Sequence, residues 1–292
     1  MKAQIIEDYG RRYVVQLENG DTHGAVTRKK RIDFACGDWV EVQIVNQEQA
    51  VIEHFLPRQS LLFRQDAFRT KLITANVTQV GIVLSHTPSP NPDLIQRTLL
   101  AANAASIQAA LIINKTDLPD YEACFFDEYL RHFPVPVIAV SAKNGDIQVL
   151  QDWLNGQMTI LTGQSGMGKS TLTNALLGED VARTGSISET LNAGRHTTTH
   201  TRLYRINPQT TLIDSPGLQS FGLNHLNIGD LLQYCPDLHD YIGQCRFHNC
   251  THRQEPHCAI KTAVENQQLP LFRLQFLQSI TDEIERGSHR IK

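Results

Sequence analysis

The chain has 292 residues, of which 41% are hydrophobic and 20% charged, with a net charge of -3. That length suggests about two domains of ~100–200 residues each and room for a substantial core. The composition excludes a disordered or polycationic chain, so any contact with nucleic acid must come from local patches.

The opening "MKAQIIEDYGRRYVV" carries acidic residues and a Tyr-Gly-Arg-Arg break, where a secretory leader needs an unbroken apolar run. No stretch approaches the ~20 apolar residues of a membrane span. A cytoplasmic chain without membrane contact is expected, and in that compartment thiols stay reduced. The six cysteines are then ligands or core residues rather than disulfides.

Residues 1–64 alternate apolar and polar positions in short runs, separated by the turn pairs Tyr9-Gly10, Asn19-Gly20 and Gly37-Asp38. Five or so such strands make a small barrel. An oligonucleotide-binding (OB) barrel is the preferred reading, although an SH3-like barrel would leave the same pattern. Arg28, Lys29, Lys30 and Arg31 fall between two strands, where a loop could present them to phosphates or merely to solvent. Tyr13, Phe34 and Trp39 read as barrel core as readily as base-stacking groups.

From residue 65 the rhythm becomes strand, helix, strand: "VGIVLS", helical "DLIQRTLLAANAAS", "AALIINKTD", helical "ACFFDEYLRHF", "VPVIAVSA", helical "DIQVLQDWL" and "MTILTG". Such alternation predicts a mainly parallel sheet covered by helices. The tetrapeptide "NKTD", Asn114, Lys115, Thr116 and Asp117, directly follows an apolar strand. An aspartate there can accept hydrogen bonds from the N1–H and exocyclic amine of guanine, which adenine does not offer in the same places. GTP is therefore the expected ligand. Ser141, Ala142 and Lys143 follow the next strand, where GTPases place a loop that supports the base.

"GQSGMGKS" at 163–170 has phosphate-loop spacing. Gly163, Gln164, Ser165, Gly166, Met167 and Gly168 form a loop whose backbone N–H groups can turn inward on phosphates, and the helix begun by Lys169, Ser170 and Thr171 adds its positive dipole end. Lys169 would neutralise the terminal phosphates and Ser170 would ligate magnesium. Further on, "GRHTTTH" has no periodicity, as suits a switch whose threonine reaches magnesium; Thr198 is the first candidate and Thr197 the second. "TTLIDSPG" ends a strand with Asp214, a carboxylate placed to hold magnesium, and Gly217 could offer its N–H to the terminal phosphate. In an ordinary GTPase these three motifs precede the guanine motifs. Here they follow them, so the sheet is circularly permuted, cut just after the second switch.

"CRFHNCTHRQEPHCAI" brings Cys245, Cys250, His252 and Cys258 together in sequence. Three sulfurs and one nitrogen satisfy tetrahedral zinc with no open position, so the site would be structural and would supply folding energy to a short segment. His248, His257 and Cys235 are alternative ligands on chemistry alone. Cys36 and Cys124 lie in apolar stretches and read as inert buried thiols. In the last segment Pro270 interrupts a helical pattern, with Leu271, Leu274 and Leu277 assigned to packing.

On these motifs the sequence resembles the bacterial circularly permuted ribosome-assembly GTPases of the RsgA (YjeQ) family over nearly its whole length. The resemblance implies a multi-domain chain: an all-β OB barrel at 1–64, an α/β permuted phosphate-loop GTPase at 65–225 and a mainly helical zinc domain at 226–292. It selects Cys245, Cys250, His252 and Cys258 as the ligands of one structural zinc. Leu218 occupies the place where many GTPases carry a water-orienting glutamine, and the resemblance points to His196 as its substitute, with His200 the weaker candidate. The implied cofactors are GTP or GDP with magnesium, held by Ser170, Thr198 and Asp214. The implied partner is the small ribosomal subunit with its rRNA, and a monomer is expected. In this reading the barrel and zinc domain grip rRNA, and hydrolysis releases the protein from a maturing particle. The alternative is a GTP-regulated RNA-binding module in which hydrolysis is incidental. The pI near 6.4 leaves RNA contact to patches and shape.

Overall fold

A computed structural model of the chain describes residues 1–10, 12–28, 34–65, 70–119, 129–178, 201–214 and 223–289. Five strands open it: β1 (Lys2–Asp8), β2 (Tyr13–Leu17), β3 (Thr22–Thr27), β4 (Trp39–Ile44) and β5 (Gln49–Phe55). Their alternation sends Ile5, Val15, Val40 and Ile52 into one small core, as a two-residue period requires. The neighbours β1–β2, β2–β3, β4–β5 and β1–β4 are antiparallel, while β3 and β5 run parallel. That parallel closure gives the order 1-2-3-5-4-1 of an OB barrel and settles the choice that the alternation left open. Tyr13 and Phe34 are core, packed edge to face. Trp39 is only half-buried, with the Lys2 ammonium 4.4 Å from its ring centroid.

A hairpin follows, β6 (Leu61–Gln65) with β7 (Thr70–Ala75). It is tied to the barrel where the Ala75 N–H donates to the Cys36 carbonyl at 2.9 Å. Cys36 is fully buried and burial pushes its thiol well up, which keeps it inert.

The central sheet is built from β8 (Gln79–Leu84), β9 (Gln108–Ile113), β10 (Val137–Ala139), β11 (Met158–Thr162), β12 (Thr201–Asn207) and β13 (Thr210–Asp214). Its order is β10-β9-β8-β11-β13-β12, parallel except for β12. Helix α1 (Pro92–Ala104) starts at Asn91, whose side chain accepts from the Asp93 N–H at 2.9 Å, with proline at the first turn. α2 (Gln148–Leu154) and α3 (Lys169–Leu177) cover one face through Leu150, Leu154, Leu172 and Leu176. α1 covers the other through Leu94, Ile95 and Leu99.

The barrel and this sheet are one continuous structure. Glu7 and Asp8 of β1 pair with Arg202 and Thr201 of β12, and the Arg202 guanidinium meets the Glu7 carboxylate at 3.0 Å.

After β13 the described residues form no further strand. Two 3-10 turns, Ile228–Tyr234 and Pro236–Tyr241, lead through a cysteine-rich loop to α4 (Ala259–Glu265) and α5 (Leu271–His289). Their apolar side chains, including Leu231, Leu238, Phe276, Leu277 and Ile280, share a single core with α1 and the sheet. Arg273 of α5 is buried in this seam, donating twice to Asp237 at 2.6 and 2.9 Å and once to Gln96 of α1 at 2.6 Å. Leu274 and Leu277 pack as expected, but Leu271 is 55% exposed. Around the helix Leu271 lies about 60° from Leu274 and about 120° from Leu277, on the side of the exposed Gln275 and Ser279, and as the first helical residue it has no preceding turn to pack on. Among the described residues, no helix is long and apolar enough to cross a membrane.

Candidate nucleotide-binding site and metal centre

In parallel sheets ligands collect beyond the carboxyl ends of the strands. Ser85, Asn114, Ser141 and Gly163 follow β8, β9, β10 and β11 closely at that edge, and Asp214 closes β13 there. The motifs separated by up to 100 positions in sequence therefore line one edge.

The phosphate-loop backbone explains its glycines. Gly163 (φ +139) and Gly168 (φ +87) hold conformations that L side chains avoid, and a Cβ at either would collide, with the Val83 carbonyl and with the Asn114 amide. The helix that follows, α3, points its free N–H groups at the loop. Met167, the one large apolar residue of the loop, is fully buried and anchors it to the sheet core. The Lys169 ammonium donates to the Gly163 and Gln164 carbonyls at 2.6 and 3.0 Å. Burial pushes its pKa below the ordinary range, and the Asp214 carboxylate opposes the shift. A half-buried cation at the end of a glycine loop that leads into a helix N-terminus can take a phosphate in chemical terms.

Asn114 joins three loops. Its side-chain amide donates to the Met167 carbonyl at 3.1 Å and accepts from the Ala142 N–H at 3.1 Å, and the residue is buried. Lys115, itself at φ +67, donates to the Thr87 and Gly166 carbonyls at 2.7 and 2.6 Å. The Ser141 hydroxyl donates to Asp117 at 2.7 Å and holds its carboxyl below the usual carboxylate range. Asp117 is thus an ionised, solvent-facing acceptor of fixed orientation, as guanine requires. Thr116 is tied to the Val140 carbonyl through its N–H at 3.2 Å, whereas Lys143, Ser165, Gly166, Ser170 and Thr171 stay open or half-open to solvent.

Sequence reasoning missed the loop after β8. Its Ser85 hydroxyl reaches the Met167 sulfur at 3.2 Å, and Pro88 packs 3.3 Å from the position of a Gly166 Cβ. Only the adjacency of β8 and β11 reveals it. Two ties out of the site were equally invisible: β12 pairs with the barrel, and the Leu223 N–H donates to Glu283 of α5 at 3.2 Å, whose other oxygen meets Arg97 at 2.6 Å. His196, Thr197, Thr198, His200, Gly217 and Leu218 lie outside the described residues, as do Lys29, Lys30, Arg31 and Cys124.

In the C-terminal loop, one donor atom each from Cys245, Cys250, His252 and Cys258 lies within 4.8 Å of the others. Nδ1 of His252 is 3.7 Å from the Cys245 sulfur and 3.3 Å from that of Cys258. His252 sits at φ +60, and its carbonyl is held by the Gln278 amide at 2.6 Å. Burial, reinforced by the neighbouring thiols, pushes the Cys250 pKa well up, so thiolates here require a compensating cation. A closed set of three sulfurs and one imidazole nitrogen of this size could hold a soft divalent ion. The alternatives separate: His248 and His257 are exposed, and Cys235 is buried beside Arg273.

The family described as RsgA GTPase matches residues 55–224, more than half of the chain. The chain belongs to the RsgA GTPase family. Within it, the small ribosomal subunit biogenesis GTPase RsgA of Neisseria meningitidis serogroup C / serotype 2a is 58% identical over 286 residues, covering 97% of this chain and 92% of that protein. The protein of the same description from Nitrosospira multiformis is 40% identical over 299 residues, covering 100% and 95%. Among solved structures, YjeQ from Thermotoga maritima superposes with a TM-score of 0.72 at 26% identity, covering 97% of this chain and 98% of that one. YloQ, a circularly permuted GTPase, gives 0.68 at 25% identity with 98% and 95% covered. In this RsgA-family chain the "NKTD" motif precedes the phosphate loop, in keeping with the description of YloQ as circularly permuted.

Proposed function

We propose that the chain hydrolyses GTP and acts in maturation of the small ribosomal subunit, using hydrolysis to leave the particle. The observation that carries the nucleotide assignment is the assembly of Asn114, Asp117, Ser141, Gly163, Lys169 and Asp214 at one sheet edge. Asp117 selects guanine, Asn114, Lys115 and Ala142 frame the base pocket, and the 163–171 loop with Lys169 takes the phosphates. Magnesium held by Ser170, Thr198 and Asp214 would supply charge neutralisation on those phosphates. Gly217 would donate its N–H to the terminal phosphate. His196 orients or deprotonates the attacking water, a task that Leu218 cannot perform. Zinc is the metal that suits Cys245, Cys250, His252 and Cys258.

The partner assignment follows from relatives that are named for small-subunit biogenesis. Work divides among a barrel at 1–64, a GTPase at 65–225 and a zinc unit at 226–292, in a monomer in the cytoplasm. The segments that bear His196 and Gly217 run into β12 and Leu223, and these are tied to the barrel and to α5. Nucleotide-dependent rearrangement beside the first segment therefore reaches the barrel, and beside the second it reaches the zinc unit. The test is GTP turnover with and without purified small subunits at several salt concentrations. Turnover is expected to be slow alone, to rise with subunits and to lose that stimulation as salt weakens RNA contact. Unchanged turnover on adding subunits would sink the coupling.

A further inference from the structure

Between the metal-site cysteines Cys245 and Cys250 lie Arg246, Phe247, His248 and Asn249, all of them exposed. Phe247 is 41% exposed, on a turn that is closed at both ends. The Cys250 N–H donates to the Phe247 carbonyl at 3.2 Å and the Arg246 N–H to the His257 carbonyl at 3.3 Å. With the flanking cysteines gathered into the donor set, the ring is displayed by a rigid turn.

Its surroundings supply one cation and several polar ring nitrogens. The Arg246 guanidinium lies 5.6 Å from the Phe247 centroid, and the exposed imidazoles of His248 and His257 share the loop. Residues 242–250 contain no acidic side chain. The nearby Glu255 is turned inward, accepting from Thr251 and from the Arg253 N–H. An apolar protein groove would leave the Arg246 charge and the imidazole nitrogens unpaired. An unpaired nucleotide matches them, since its base offers a flat face to the ring and its phosphate a charge to Arg246. A duplex keeps its bases stacked on each other and has no free face to offer.

We propose that Phe247 is a stacking platform for an unpaired RNA base, with Arg246 as its phosphate contact. The metal site thereby becomes a mount for a recognition element as well as a folding device. The inference rests on the reading above for the source of that RNA, the small-subunit rRNA, and deepens it to a named contact.

The experiment uses the full chain loaded with zinc and a non-hydrolysable GTP analogue, and measures affinity for small ribosomal subunits. Phe247→Ala is expected to weaken binding by about 5- to 150-fold, the range for loss of one stacked base. Phe247→Trp should bind at least as well as the unaltered chain. Phe247→Leu keeps apolar bulk without a π-face and should be as weak as the alanine variant. Zinc content and basal GTP turnover equal to the unaltered chain show that each variant is folded. A benzophenone amino acid at position 247 should crosslink to an unpaired rRNA nucleotide. Full affinity in Phe247→Leu, or crosslinks to a ribosomal protein or to helical rRNA, overturns the proposal. If the unaltered chain does not bind subunits, the functional reading fails by itself. The stacking role is then decided on a ten-nucleotide oligouridine, where equal binding by the unaltered chain and Phe247→Ala overturns it.

Discussion

Replacing Asn114 with alanine is expected to damage stability and nucleotide binding together. The amide is buried and makes two hydrogen bonds across the site, to the Met167 carbonyl and from the Ala142 N–H. Truncation leaves both backbone groups without these partners, at about 1–3 kcal/mol each, or about 2–6 kcal/mol in all. Met167 is fully buried, whereas Ala142 keeps 7% of its surface, so water relieves part of the second loss and the sum falls in the lower half of that range. The phosphate loop and the loop at 141–143 also lose their common tether. GTP must then reassemble them on binding, and apparent affinity falls with the fraction of assembled sites, by about tenfold for each 1.4 kcal/mol of cost. Urea unfolding of the nucleotide-free chain and titration with a fluorescent GTP analogue read the two effects separately. Asn114→Asp keeps the acceptor for Ala142 but loses the donor to Met167 and buries a charge, so it should be no better. An unfolding free energy within about 0.5 kcal/mol of the unaltered chain, with unchanged GTP affinity, would show that the bridge carries nothing.

Other outcomes follow from the same contacts. Arg273→Met strands Asp237, which is largely buried, and should cost about 3–5 kcal/mol in urea unfolding, much of it recovered in Arg273→Met with Asp237→Leu. Cys250→Ser or a strong chelator should take zinc content from one ion per chain towards none and make 242–258 the first site of limited proteolysis, with GTP binding retained. Ser141→Ala removes the hydrogen bond that lowers the Asp117 pKa. GTP binding by the unaltered chain should then persist further into acid than in the variant, because the carboxylate stays ionised as pH falls. Glu283→Ala removes the acceptor of the Leu223 N–H and one of the two carboxylates on Arg97, and should reduce stimulation by small subunits with GTP affinity unchanged.

Motifs whose chemistry lies within a few consecutive residues were legible in the sequence. The phosphate loop, "NKTD" and the cysteine-histidine set need fixed local spacing, and their order alone disclosed the permutation. Contacts between distant segments were not legible. The parallel pairing of β3 with β5 is a matter of closure that alternation does not encode, and the junction of Glu7 and Asp8 with β12 involves two residue pairs separated by almost 200 positions. Arg273 reads as the polar face of an amphipathic helix because nothing local shows Asp237 and Gln96 waiting in the seam. Asn114 was legible as a guanine-motif residue but not as the bridge between loops. Leu271 was misassigned because leucine spacing registers the helix face but not the missing turn before its first residue.

GTP hydrolysis at this permuted site is proposed to release the chain from the small subunit. Its most direct measurement is co-sedimentation of the chain with small subunits, comparing GTP with a non-hydrolysable analogue, for the unaltered protein and for His196→Ala. The unaltered chain should be retained with the analogue and released with GTP, and the variant retained under both conditions. Equal release of the variant and the unaltered chain with GTP would contradict it.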